Sequence, residues 1–208
     1  MTAAVAPTPM RRRRRLDSTA IVWIAFVAVL AIGAVLVATT GRSLFSEGSI
    51  RDILTGMSVL GFVAIGQTLV ILAGSLDLSV PYVVSLSSLI AASTMNGQVG
   101  NIVPGVVLAL LIAAAIGLAN GLIVTGLKVN GFIATLGVGL IVKGYLDTAY
   151  RGATGSVPAE FRLFGIAGIG PVPVSTLIML AVAVAAFFFL RNTRTGNPIF
   201  AVGGSVDV

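Results

Sequence analysis

The chain is 208 residues long, with 57% hydrophobic and 10% charged residues and a net charge of +6; a soluble domain carries roughly 25% charged residues, so a water-soluble globule is excluded. It contains no cysteine and no histidine, which excludes disulfides, thiolate chemistry, histidine-ligated metals and the commonest general base. Its seven carboxylates (Asp17, Glu47, Asp52, Asp77, Asp147, Glu160, Asp207) include no pair spaced as an acid/base couple, and no GxxxxGK-S/T phosphate loop lies near Lys128 or Lys143, so no catalytic residue, metal or cofactor is expected and any ATP hydrolysis belongs to another chain.

The head, Met1 to Asp17, is polar and carries Arg11 to Arg15; the apolar run Ala20 to Ala38 follows it. A cleavable signal has an apolar core of ~7–15 residues. This run is longer, so it is expected to be an uncleaved first span with its N-terminus in the cytoplasm. The five arginines abut a span directly and fit a topology anchor touching anionic lipid better than a nucleic-acid site.

Further apolar runs cover Ile53 to Ala73, Tyr82 to Met95, Ile102 to Gly126, Phe132 to Tyr150 and Val174 to Leu190. A spanning helix needs about 20 apolar residues, and continuous rather than alternating runs argue against a closed barrel. The expectation is therefore an all-α polytopic bundle of about six transmembrane helices. Its parts are a basic tail over 1–18, a membrane domain over 19–190 and a cytoplasmic segment over 191–208. Basic residues divide eight inside (Arg11 to Arg15, Lys128, Arg191, Arg194) against four outside (Arg42, Arg51, Arg151, Arg162), as the positive-inside rule requires. The outer segment Arg151 to Pro173, rich in glycine and proline, is expected to lie across the outer mouth.

Three places between and within these runs carry polarity. The segment Gly74-Ser-Leu-Asp-Leu-Ser-Val-Pro81 places one carboxylate, Asp77, between two apolar runs. Ser79 is positioned to cap the following helix and Pro81 to occupy its first turn, with Asp77 favoured by the helix dipole. A charge this close to lipid also suits a pathway. In the fourth run, Ala113, Gly117 and Gly121 align on one helix face, which suits ordinary packing in a bundle or, alternatively, a translocation path. Asn120 beside them needs a protein partner or a watery cavity. In the fifth run, Lys143 and Asp147 are spaced to neutralise each other, and Gly137 and Gly139 make the run flexible or closely packed.

Three separated segments resemble the permeases of ribose- and xylose-type ABC importers, a branch of the binding-protein-dependent permeases. Gly66-Gln-Thr-Leu-Val-Ile-Leu-Ala-Gly-Ser-Leu-Asp-Leu-Ser-Val80 is similar to the family's early T-L-V-I-L run and G-x-D-L-S-V-G turn. Ala119-Asn-Gly-Leu-Ile-Val124 and Val129-Asn-Gly-Phe-Ile-Ala-Thr-Leu-Gly137 resemble its N-G-L and F-I-x-T-L-G pair. Pro171-Val-Pro-Val174 and Thr193-Arg-Thr-Gly-Asn-Pro-Ile-Phe-Ala-Val-Gly-Gly204 resemble its P-V-P motif and T-x-x-G-R-x-x-x-A-x-G-G segment.

The resemblance implies a bacterial inner-membrane, multi-pass subunit of an ATP-driven sugar importer. It implies a second permease subunit, an extracytoplasmic sugar-binding protein and cytoplasmic ATP-binding subunits as partners. The substrate pathway would run past Asp77, Ser79, Asn120, Thr135 and Gly137. Thr193, Gly196, Ala201 and Gly203 would begin the element coupled to the ATPase. Pro81 stands where the family usually has glycine, Asn197 where it usually has arginine, and the sequence stops at Val208, where relatives continue. The chain is accordingly expected to be a permease truncated after the sixth span, with a non-transporting membrane remnant or scaffold as the alternative.

Overall fold

The computed structural model describes residues 18–150, 152 and 155–204. Arg11 to Arg15, Asp17, Arg151, Asp207 and Val208 lie outside these. The described chain is almost wholly helical, in two compact units, 1–49 and 50–208. The first contains α1, Ser18–Thr39. Its apolar residues face outward all round, among them Trp23, Phe26 and Leu36, as befits a helix solvated by lipid rather than by a protein core.

The second unit takes most of α2 (Glu47–Leu72), then α3 (Val80–Met95), a 3-10 turn (Val99–Asn101), α4 (Ile102–Gly126) and α5 (Gly131–Ala149). After these come α6 (Ala159–Ile166), the strands β1 (Gly168–Ile169) and β2 (Val172–Pro173), α7 (Val174–Asn192) and α8 (Gly196–Gly204). The strands form a small antiparallel hairpin in which Ile169 faces Val172. With α6 it occupies residues 159–173 of the segment rich in glycine and proline.

Among the described residues five helices are long and apolar enough to cross a bilayer, one fewer than the six runs predict. The remaining run is the shorter apolar helix α3. Its 16 residues reach only about 24 Å at ~1.5 Å per residue, short of the ~30 Å hydrocarbon core. The chain spends residues 73–79 in a turn and an extended stretch before α3 begins, so the helix starts late. The second run errs the other way. It was expected from Ile53, but α2 begins at Glu47, because Arg51 and Asp52 interrupt the apolar pattern without interrupting the helix. Ser46 accepts the Ser49 N–H at 3.3 Å, and Glu47 sits in the positive first turn.

Packing in the second unit depends on small and hydroxylic residues. Ser58 of α2 is fully buried; its hydroxyl lies 2.7 Å from the Leu54 carbonyl and 2.8 Å from the Thr176 hydroxyl of α7. One turn along, Gly61 lets Met179 of α7 approach so closely that a Cβ there would sit 2.8 Å from its sulfur. The apolar centre lies between α3, α4 and α5, where Leu86, Ile90 and Val142 are buried against Ile112, Ile116 and Val138. Where lipid outside is as apolar as the side chains inside, such close contact does more to hold helices together than burial does.

Candidate functional site

The site starts at the end of α2. Gly74 has a left-handed φ of +79°. Its N–H bonds to the Ile71 carbonyl at 2.9 Å, and the Ser75 N–H bonds to the Val70 carbonyl at 3.1 Å. This is the Schellman pattern that closes a helix and sends the chain off sideways. Residues 75–79 then run without helical bonding to α3, with Pro81 at its start.

Asp77, Ser79, Asn120 and Thr135 come together around this break. One Asp77 carboxylate oxygen accepts both the Ser79 N–H at 2.8 Å and the Ser79 hydroxyl at 2.6 Å. Ser79 therefore does not cap α3 with its own side chain, contrary to expectation, and no side-chain cap is made from that position. The shorter reach to Asp77, a charge-assisted bond, wins over the helix N–H groups. The Asn120 amide of α4 donates to the Ser79 oxygen at 2.9 Å. The result is a directed chain of bonds from Asn120 through Ser79 to Asp77. Thr135 of α5 completes the enclosure: its oxygen accepts the Leu78 N–H at 3.0 Å, and its hydroxyl lies 2.8 Å from the Gly131 carbonyl and 3.2 Å from that of Leu76.

Ser79, Asn120 and Thr135 are 1%, 5% and 3% exposed. The Asn120 side-chain oxygen is nevertheless buried with no partner, a defect costing roughly 1–3 kcal/mol. A buried acceptor without a protein partner is a place where a further hydrogen-bond donor can be received.

Gly137 does not join the cluster; a Cβ there would meet nothing within 4 Å. The glycine that does is Gly139, where a Cβ would lie 3.1 Å from the Ser79 Cα and 3.0 Å from the Tyr82 ring. Gly131, Thr135 and Gly139 repeat every four residues and so form one face; Gly131 lies so close to Ser75 that a Cβ would overlap its hydroxyl. That spacing was available in the sequence and was the signal that separates Gly139 from Gly137.

Three cavities meet at Asp77. One of about 330 Å³ lies between α2 and α3, lined by Phe62, Gln67 and Val84 among others. A second of about 290 Å³ is bounded by Val70, Ser75, Asn120, Gly121, Thr125 and Thr135. A third of about 100 Å³ touches Ser79, Val83, Ala113 and Gly117. The small-residue face of α4 thus borders space. Gly117 and Gly121 have no neighbour within 4 Å of a Cβ, so ordinary packing within this chain does not explain them. Gly105 is the α4 glycine that packs, against Met95. Lys143 and Asp147 pair at 2.5 Å on the outer face of α5, about half exposed, and line none of the three cavities.

The segment after α7 reaches the same region. The Thr193 hydroxyl donates to the Phe189 carbonyl at 2.7 Å and accepts the Gly196 N–H at 2.9 Å, closing α7 and opening α8. Gly196 is pressed against the Phe189 carbonyl, and Gly203 against the Leu72 carbonyl, too tightly for any Cβ. At Gly74 a Cβ would stand 3.4 Å from the Gly203 Cα. Two motifs far apart in sequence therefore meet at the turn that precedes Asp77. Ala201 is exposed on α8.

Residues 49–208 match the family described as branched-chain amino acid transport system / permease component. The chain is 37% identical over 185 residues to the ribose import permease protein of Escherichia coli, covering 86% of this chain and 57% of that one. It is 31% identical over 169 residues to the xylose/arabinose import permease protein of Sulfolobus acidocaldarius, covering 77% and 46%, and 30% identical over 187 residues to an inner membrane ABC transporter permease protein of Escherichia coli, covering 86% and 56%. The chain thus spans about half the length of the curated relatives it matches. No solved structure matches it.

Proposed function

The chain belongs to the branched-chain amino acid transport system / permease component family, and on that premise we propose that it forms the translocation path of an ATP-driven monosaccharide importer in a bacterial inner membrane. The observation that carries the reading is the 37% identity to a ribose import permease over 86% of the chain. The xylose/arabinose relative favours sugar over amino acid in the same direction. The site adds physical support: a buried polar cluster beside cavities, inside an otherwise apolar bundle, is where a polar solute crosses.

In this reading Asp77, Ser79, Asn120 and Thr135 line the path, at a break between helices of the kind that transporters use for binding. Energy comes from cytoplasmic ATP-binding subunits, a reading supported by the likeness to an ABC transporter permease protein. Residues 191–208 form the start of the element that meets those subunits, and the lysine and arginine distribution sets that end in the cytoplasm. An extracytoplasmic binding protein delivers the sugar, and a second permease subunit completes the path.

The test is uptake into proteoliposomes carrying the full-length permease, its ATP-binding subunits and its binding protein. Labelled D-ribose, D-xylose, D-allose and D-galactose are offered with and without ATP. ATP-dependent accumulation of at least one sugar is expected. Uptake equally fast without ATP, or uptake of labelled leucine in place of every sugar, overturns the reading.

A further inference from the structure

The bond chain from Asn120 to Asp77 stands at a boundary. Asn120 borders the cavity of about 290 Å³, Ser79 borders the one of about 100 Å³, and Asp77 and Gly117 border both. The wall between the two spaces is thus made of side chains whose polar groups are turned on one another. One acceptor, the Asn120 oxygen, is closed off and unsatisfied.

We propose that Asn120, Ser79 and Asp77 form a hydrogen-bonded gate on the path, which opens by exchanging its internal bonds for the hydroxyl groups of the passing molecule. This rests on the permease reading above and adds the gating residues and the ligand chemistry. A hydroxyl group both donates and accepts. One such group satisfies the Asn120 oxygen by donating, another takes the amide N–H that Ser79 now accepts, and a third donates to Asp77 in place of the Ser79 hydroxyl, which donates in turn to an oxygen of the passing molecule. A molecule with several adjacent hydroxyls makes these exchanges one at a time, so no buried group is left bare during passage.

An apolar solute offers no such exchange and leaves three polar groups unpaired. The cavity bordered by Asn120 suits the same class: Leu69, Val70, Ala73 and Val124 face the carbon skeleton, while Ser75 and Thr125 supply further hydroxyl partners. Among the described residues no basic or aromatic one borders it. Its volume lies at the small end of the ~300–1,000 Å³ range of ligand sites, fitting one neutral, polyhydroxylated molecule of monosaccharide size.

The experiment uses the full-length permease with its ATP-binding subunits and binding protein in proteoliposomes. Asn120→Leu keeps the size of the side chain and removes both its donor and its acceptor. The expected result is a fall in the maximal uptake rate of about tenfold, the rate equivalent of one net hydrogen bond. The KM for sugar-loaded binding protein and its stimulation of ATP hydrolysis stay unchanged, because the gate lies past the docking step. Wild-type uptake by the variant, or a parallel fall in uptake and stimulated hydrolysis, overturns the gate.

A second measurement does not depend on that variant. In a full-length permease cleared of any other cysteine, Gly117→Cys places a thiol beside both cavities at a position where a Cβ meets nothing within 4 Å, and labelling is read on that subunit alone. A charged methanethiosulfonate reagent is expected to label it slowly at rest and faster during turnover, and the imported sugar is expected to slow that labelling. Equal labelling at rest and in turnover, or protection by sodium ions and not by sugar, overturns the proposal. If the parent complex imports none of the four sugars, the permease reading itself fails; if the parent imports and the variant matches it, only the gate does.

Discussion

Two helix connections in this bundle solve the same problem differently. Between α4 and α5 the chain turns in four residues, with Lys128 in the left-handed region at φ 53°. Asn130 then caps α5 by accepting the Phe132 N–H at 2.9 Å. Everything that turn needs comes from the turn itself. Between α2 and α3 the connection satisfies itself only in part, Asp77 serving Ser79; Asn120 reaches in from α4, and Thr135 reaches in from α5. The first connection is a local stop signal. The second is a junction whose shape depends on three helices at once, which lets a change at any of them be felt at the others.

The contrast is broken most severely at Gly139. Gly139→Val pushes a branched side chain into the Ser79 backbone and the Tyr82 ring, and backbone has less room to retreat than a side chain. Overpacking of this kind costs up to about 3 kcal/mol. Thermal unfolding of the purified protein in detergent should show the largest loss of the series, and an unchanged midpoint would mean that α5 does not hold the junction.

Thr135→Val comes next. It preserves shape and removes the oxygen that receives the Leu78 N–H, stranding a donor in a site only 3% exposed. A loss of roughly 2 kcal/mol follows. Asn130→Ala tests the local turn and should cost about 1 kcal/mol, the usual value of one N-cap. If Asn130→Ala proved the more damaging of the two, the division into a local and a shared connection would be wrong.

Much of this was legible in the sequence, because the bilayer writes long apolar runs that need no tertiary context. The break at Asp77, the need of Asn120 for a partner and the pairing of Lys143 with Asp147 all followed from polarity in an apolar setting. What escaped notice depended on direction. Hydropathy distinguishes membrane from water but not lipid from a neighbouring helix, so it could not tell that Gly117 and Gly121 face space while Gly105 faces Met95. Length was a weak guide at α3, the shortest of the runs, where a 16-residue helix follows seven residues of non-helical backbone. Competition between two acceptors failed at Ser79: capping preferences say that its hydroxyl suits a helix start, but not that Asp77 lies closer. The contact between Gly203 and Leu72 joins residues over a hundred positions apart, and no local pattern encodes it.

The smallest expected effect is also the cleanest test of direction. Gly137→Ala makes nearly the same chemical change as at Gly139, two residues away on the same helix, yet two residues turn a helix by about 200°. At Gly137 the added methyl meets nothing within 4 Å. The substitution therefore contributes only its helix propensity, a gain of up to about 1 kcal/mol. Measured beside Gly139→Ala, it should move the unfolding midpoint the opposite way. Equal losses at both positions would place a partner against Gly137 that lies outside this chain, and the face of α5 that bears it would then belong to a subunit contact.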